Sequence, residues 1–228
     1  MRSDAWVPLI ATLVAGEFTL GLLRRLLARH RPHLLSWAIS LAFFTVGAAA
    51  LWWGTAFGWS EASFRLYYLG GALLSVPWLA LGQVQLLTSG RSARAWVLGV
   101  VGFSVVAGFI VGFAPLRPPV SGYDLPSGHD LYDTLPQILV AVSNGVGALV
   151  ILAGVGLSLW RSRGGGPEVR SRATGVLLVA AGVLAAGAGG ALTFVGKSSA
   201  NAIGVTVGVS VIYLGFVQAQ RRVGRHRG

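Results

Sequence analysis

The stretch LLSWAISLAFFTVGAAALWWGTAF, residues 34–57, runs for 24 residues without an Asp, Glu, Lys, Arg or His. At a rise of about 1.5 Å per residue, a helix of this length is about 36 Å long and spans the roughly 30 Å hydrocarbon core of a bilayer. The preceding Arg31-Pro32 and the closing pair Trp52-Trp53 are typical of residues at the two membrane interfaces. This stretch therefore predicts a transmembrane helix.

Six further apolar segments flank this one, and together they predict an all-α integral membrane protein, a seven-transmembrane helix bundle in one domain of residues 1–228. Only 11% of the residues are charged, whereas soluble domains carry about 25%. The first segment is interpreted as a helix and not a signal peptide, because its apolar run continues to about Leu27. The predicted helices cover residues 5–27, 34–57, 62–87, 93–113, 136–160, 173–195 and 200–220.

The basic residues predict which side of the membrane each loop faces. If the loop between the first two segments is cytoplasmic, 14 of the 18 Lys and Arg residues lie on the cytoplasmic side. Cytoplasmic loops carry such an excess, so we expect the N-terminus outside, the C-terminus in the cytoplasm, and a multi-pass protein of the cell (cytoplasmic) membrane. The same arginines are expected to contact anionic membrane lipids.

The composition also disfavours several classes of function. The formal net charge is +11, but the arginines flank apolar segments, so no nucleic-acid partner is expected. The absence of cysteine excludes disulfides, thiolate metal sites and cysteine catalysis. The four histidines lie in predicted loops or the tail, so no enzyme, haem or zinc site is expected. Lys197 lies at the end of the seventh segment, which argues against retinal, and no cofactor is predicted.

Glu17 is the strongest single signal for a functional site. It lies near the middle of the first segment, where an ionised carboxylate costs about 2.5–3.5 kcal/mol on insertion scales. We therefore expect that Glu17 faces the interior of the bundle, is protonated, or has a partner. A proton or cation site, an anchor for a ligand, and a hydrogen bond that fixes helix packing are the alternatives at this position.

Pro77 interrupts the third segment near the middle of the membrane. Its missing N–H frees a backbone carbonyl one turn earlier and predicts a kink, beside which Trp78 places a large ring. The kink either lines a ligand pocket, acts as a hinge, or is static. Ser75 on the same segment and Asn144 on the fifth segment complete the polar candidates for a ligand or ion site.

The third segment also carries a resemblance to a known family. It reads Phe64-Arg65-Leu66-Tyr67-Tyr68-Leu69-Gly70 and later Pro77-Trp78, and the segment before it ends Ala50-Leu51-Trp52-Trp53. These motifs resemble helices two and three of the seven-transmembrane N-terminal sensor region of bacterial histidine kinases and related diguanylate cyclases.

The resemblance matches Arg65, Tyr68, Gly70, Pro77 and Trp78, and it makes Arg65 and Tyr68 candidates for ligand binding. It implies an outside N-terminus and a seventh helix that leads into a cytoplasmic output domain. Because the sequence ends at Gly228 without such a domain, the resemblance implies a separate partner protein.

A long polar loop, residues 114–135, is predicted on the outside. It contains His129, Asp130 and Asp133, and loops of this length often carry function. The three side chains are chemically able to ligate a metal through nitrogen and oxygen. A solvated lid over the mouth of the bundle is the simpler interpretation, so no metal is assigned, and His129 is also a candidate for sensing external pH.

These observations leave three hypotheses for function. The first is a stand-alone sensor or receptor-like protein that binds a small or lipidic ligand and signals through a cytoplasmic or membrane protein partner. The second is an ion or proton channel or transporter that uses Glu17. The third is a scaffold or assembly subunit for other membrane proteins.

Overall fold

The structure is a computed structural model that describes residues 5–28, 30–117 and 119–162. All regular structure in these ranges is helical, which confirms the prediction of an all-α protein. Five helices are long and apolar enough to cross a membrane, so the protein is embedded in one. The predicted sixth and seventh segments, with Lys197 and the arginine-rich tail, lie outside the described residues.

Each predicted span among the described residues corresponds to one helix, with ends within three residues of those expected. Pro32 opens the second helix, where its missing N–H and fixed φ are favourable. Ser60 caps the third, accepting a hydrogen bond from the Ser63 N–H at 3.2 Å. The helices are α1 (Trp6–Ala28), α2 (Pro32–Phe57), α3 (Glu61–Leu87), α4 (Gly90–Phe113), the short α5 (Gly128–Leu131) and α6 (Thr134–Ser162).

The two ends of the helices differ in chemistry. The turns between α1 and α2 and between α3 and α4 are flanked by Arg24, Arg25, Arg31, Arg91 and Arg94, and we call this the arginine end. The opposite end holds the α2–α3 turn, residues 58–60, and the long loop, residues 114–133; we call it the loop end.

The chain divides into two compact units, residues 1–147 and 148–228. In the first unit, α2 packs against both α1 and α3, and α3 also contacts α4. The prediction of a single seven-helix domain extends over both units and stays a prediction.

Many large apolar side chains of the described helices are exposed, most clearly on α4, where Leu98, Phe109 and Phe113 are more than 60% exposed. In a bilayer these side chains contact lipid, which is as apolar as they are. A buried hydrophobic cluster lies at the loop end instead, built mainly from α3, α4 and the long loop.

Candidate functional site

The middle of α3 departs from regular α-helical geometry. Residues Tyr67–Leu74 form a π-helical segment, which is wider than the α-helical turns before and after it. Pro77 follows within one turn and has no N–H to donate to the carbonyls of this segment. π-Helical insertions of this kind are frequent at functional sites, and this one ends three residues before Pro77.

Side chains from two neighbouring helices hydrogen-bond the irregular part of α3. The Asn144 Nδ2 of α6 donates to the Ala72 carbonyl at 2.9 Å; Ala72 lies five residues before Pro77, where a π-helical turn would need the missing N–H. The Ser40 Oγ of α2 donates to the Ser75 carbonyl at 2.6 Å. The break in α3 is therefore held by hydrogen bonds from both α2 and α6.

Asn144 has unused hydrogen-bonding capacity. Its Oδ1 atom is buried and has no hydrogen-bond partner among the described residues. Buried polar atoms normally have partners, so this oxygen marks a position where a donor would be stabilised. The structure thus brings three of the predicted candidates, Ser75, Pro77 and Asn144, to one place.

Glycine allows α2 to approach the same part of α3 very closely. A Cβ atom at Gly47 would collide with the Gly71 backbone nitrogen, and one at Gly70 would lie 2.6 Å from the Phe43 carbonyl oxygen. Real Cβ atoms do not approach backbone this closely, so the two helices are in backbone contact here. Small residues permit such packing between membrane helices.

Trp78, another predicted candidate, is fixed by a neighbouring helix. Its Nε1 donates to the Ser104 Oγ of α4 at 3.1 Å, and its ring centroid lies 6.5 Å from that of Phe43 on α2. The ring therefore connects α3 to α2 and α4.

Five aromatic side chains pack together at the loop end, and we call them the aromatic cap: Trp59, Phe64, Tyr67, Tyr68 and Tyr132. Tyr68 belongs to the π-helical segment, and its ring centroid is 4.7 Å from that of Tyr132 in the long loop. Gly128 lies against the Tyr68 ring, where a Cβ atom would come within 2.6 Å. The long loop is therefore packed directly onto the irregular segment of α3.

Tyr132 also links the loop to α4. Its hydroxyl donates to the Val111 carbonyl at 3.2 Å. Burial raises the pKa of the Tyr132 phenol to about 12, although the nearby Arg65 charge opposes the rise. The phenol thus keeps the proton that this hydrogen bond requires.

The indole nitrogens of Trp52 and Trp59 are buried without a hydrogen-bond partner among the described residues. Trp59 is only 5% exposed, and its ring lies over Gly54. Two unused donors near the cap favour a site for a group that accepts hydrogen bonds.

Arg65 caps the C-terminus of α4. Its guanidinium donates to the carbonyls of Val111, Gly112 (2.7 Å) and Ala114 (2.8 Å). The last carbonyls of a helix have no partner within the helix and carry partial negative charge, so a cation is favourable there. This role uses three of the five N–H donors of the guanidinium.

The polar residues of the long loop do not converge on one point. His129 is exposed, and its Nδ1 lies 2.8 Å from the Gln137 Oε1. Asp130 and Asp133 are exposed as well. Within the part of the chain that the structure describes, no three His, Cys, Asp or Glu residues form a group that suits a metal ion.

The loop is more than the solvated lid expected from its sequence. Leu131 and Tyr132 are buried, and the Gln137 Nε2 donates to the His129 and Tyr132 carbonyls at 3.1 and 2.7 Å. One face is solvated and the other belongs to the hydrophobic cluster.

Glu17 does not face the interior of the five long helices that the structure describes, and its place in the predicted seven-helix bundle stays a prediction. Its side chain is exposed, because α1 packs on α2 through the opposite face, with Ala11 and Ala15 buried. The nearby polar contact between these helices joins the Thr19 and Thr45 hydroxyls at 3.1 Å. Glu17 and the break in α3 therefore do not belong to one site.

Sequence reasoning missed Tyr132, Gly128 and Gly47, which build the contacts around α3. Tyr132 carried a signal, since it is an aromatic residue in a polar loop just before Pro136. Gly47 carried none that separates it from the other glycines, of which the chain has 33 in all.

No model of a known protein family matches this chain, and no curated protein is similar to it. The resemblance to the sensor region of histidine kinases therefore stays a prediction.

Proposed function

We propose that this protein is a seven-helix membrane sensor that detects a small or lipidic ligand at the aromatic cap and signals through a partner protein at the arginine end. The supporting observation is that one helix, α3, connects the aromatic cap, the irregular segment and the arginine end. Its Tyr68 packs against the long loop, its π-helical segment is held by α2 and α6, and its last residues lie at the arginine end.

The orientation follows from the basic residues. The five arginines that define the arginine end support a cytoplasmic location for it under the positive-inside rule, and in the proposal the loop end faces outward from the cytoplasmic membrane. A ligand would reach the aromatic cap from outside, while a partner protein would contact the cytoplasmic turns.

The coupling would run through the irregular segment. A ligand that separates Tyr68 from Tyr132 would remove the packing that holds one end of residues 67–74. Because Pro77 cannot complete the hydrogen bonds of a regular helix, residues 67–74 would then depend on side chains such as Asn144 to hold their carbonyls. The unused donors of Trp52 and Trp59 favour a ligand with a hydrogen-bond acceptor.

A labelled variant tests this proposal. The chain has no native cysteine, so Leu86→Cys, at an exposed position near the arginine end, takes a single environment-sensitive fluorophore. The labelled protein, in lipid nanodiscs, is screened by thermal shift against small aromatic and lipidic compounds. A compound that raises the melting temperature should change the fluorescence at position 86, and Gly128→Ala should reduce both responses.

Two results would contradict the proposal. One is a compound that binds at the cap, stabilises the protein and leaves the label unchanged. The other is a broad screen without any stabilising compound, together with purification from native membranes without a partner protein.

The channel or transporter hypothesis rests on Glu17 and is tested by flux into liposomes with the wild type and Glu17→Gln. The scaffold hypothesis predicts stoichiometric copurification with other membrane subunits. The contacts around α3 favour the sensor over the transporter, because Glu17, on which the transporter hypothesis rests, does not contact the packed loop or the broken helix.

A further inference from the structure

The helix α1 has two opposite faces of different character. The face toward α2 is built from small residues and one leucine: Pro8, Ala11, Ala15 and Leu22 are buried. On the other side, a stripe of mostly large residues recurs at alternating spacings of four and three from Trp6 to Leu20, and Leu27 follows seven residues later. The members of this exposed stripe are Trp6, Ile10, Leu13, Glu17, Leu20 and Leu27.

Glu17 lies at the centre of the exposed stripe. Eleven residues of α1 precede it and eleven follow, which places it about 16 Å from either end of the helix and near the middle of the bilayer. It forms no hydrogen bond or ion pair with the described residues. A carboxyl group at this depth is costly without a partner, and Glu17 has none among the described residues, so a helix that packs on the exposed stripe and bonds to Glu17 would be stabilised.

We propose that the exposed stripe of α1 pairs with the same stripe of a second copy of this chain. This dimer goes beyond the sensor function and does not depend on it. Two copies inserted in the same orientation present parallel α1 helices, and a twofold axis brings each position opposite itself. Alternating spacings of three and four are the a and d positions of a left-handed helix pair.

The chemistry of Glu17 fits this partner. A neutral carboxylic acid is both a donor and an acceptor of hydrogen bonds, so two Glu17 side chains facing each other across a twofold axis satisfy each other. Ile10, Leu13 and Leu20 would pack on either side of the pair and exclude lipid from it. A partner of a different kind, a helix with a basic residue at this depth, would form an ion pair instead.

Cysteine cross-linking tests the geometry of the pair. Full-length variants with one cysteine each, Ile10→Cys, Leu13→Cys and Leu20→Cys, are oxidised in native membranes and compared with Ala11→Cys, which lies on the buried face. We expect disulfide-linked dimers for the three stripe positions and little for position 11. Equal cross-linking at all four positions, or none at any, would overturn the proposal.

Substitution of Glu17 tests the chemistry of the pair. Dimer formation in bilayers is measured by energy transfer between donor- and acceptor-labelled copies. Glu17→Leu should raise the dissociation constant about 3- to 20-fold, the range expected for one hydrogen bond between membrane helices. Glu17→Gln keeps a donor and an acceptor and should stay within about 3-fold of the wild type.

Two outcomes of the substitutions would reject the carboxyl pair. Equal loss of association in Glu17→Gln and Glu17→Leu would mean that Glu17 acts as a charge toward a cationic partner. An unchanged dissociation constant for Glu17→Leu would mean that Glu17 takes no part in association. Because Glu17 is exposed, neither substitution is expected to change the fold, and the melting temperature of each variant serves as the control.

Discussion

Helices α3 and α4 lie next to each other, yet their hydropathy and their burial rank in opposite order. The more apolar of the two is α4, and 11% of its membrane span is buried, whereas α3 is less apolar and 56% of its span is buried. In a soluble protein the order would be reversed. In lipid, large apolar side chains need no protein cover, while backbone carbonyls, tyrosines and a proline break need partners inside the bundle. The helix with irregular backbone is therefore the central one.

The largest expected effect is at the contact between α2 and α3. Gly47→Ala would force a methyl group into the α3 backbone, so we expect the free energy of unfolding to fall by about 2–3 kcal/mol. The matched control is Gly102→Ala on α4, which meets nothing within 4 Å and should change stability by less than about 1 kcal/mol. Equilibrium unfolding in mixed micelles measures both variants. Equal losses of stability would contradict the claim that α3 is closely packed by its neighbours and α4 is not.

The next effect concerns the link between α3 and α4. Arg65→Met removes three hydrogen bonds from a cation to the end of α4 and should lower the free energy of unfolding by about 1.5–2 kcal/mol. Arg65→Lys should fall in between, because an ammonium group cannot reproduce the fork of the guanidinium. Arg94→Met, at an exposed position of α4, is the control. The same unfolding assay applies, and a loss for Arg94→Met as large as for Arg65→Met would refute the capping role.

A smaller effect is expected where α6 supports the break. Asn144→Leu removes the donor to the Ala72 carbonyl and should destabilise the protein by about 1 kcal/mol, within the range found for side-chain hydrogen bonds in membranes. Val146→Ala, at a half-exposed position on the same helix, should cost less. If Asn144→Leu stabilises the protein, the Ala72 carbonyl has another donor and the amide does not hold the segment.

The smallest effect sharpens the difference between two tryptophans. Trp78→Phe keeps an aromatic ring and loses one hydrogen bond to Ser104, so a loss of about 0.6 kcal/mol is expected. Trp96→Phe on α4, where the ring is 43% exposed, should change stability by less. Thermal unfolding followed by far-ultraviolet circular dichroism measures both variants. Equal melting temperatures for Trp78→Phe and Trp96→Phe would contradict the claim that the Trp78 indole stabilises the contact between α3 and α4.

Much of this fold could be predicted from the sequence because the bilayer simplifies the problem. Length and hydropathy define a span, and Pro32 and the Arg-flanked turns mark its ends, so five helices were predicted to within three residues. It was harder to predict which face of each helix packs against protein and which faces lipid. Hydropathy does not distinguish lipid from protein as neighbours, and for this reason it could not show that Glu17 lies on the face of α1 away from α2.

The candidate site was predicted only in part for a related reason. Pro77 predicts a break in the helix because it has no backbone N–H, and Asn144 is recognisable as a polar residue in an apolar segment. The contacts that complete the site depend on distant parts of the chain. Gly128 meets Tyr68, and the Arg65 bonds to α4 span more than 45 residues. The sequence carries no local pattern that pairs these positions.

The central claim, that α3 connects the aromatic cap to the arginine end, is tested most directly by hydrogen exchange in Tyr132→Leu. This substitution removes the ring that packs on Tyr68 without changing α3 itself. We predict faster amide exchange throughout residues 67–87 of α3, with residues 95–107 of α4 unchanged. Faster exchange confined to the loop, residues 114–133, would contradict the claim, because loss of packing in the aromatic cap would then have no effect on α3.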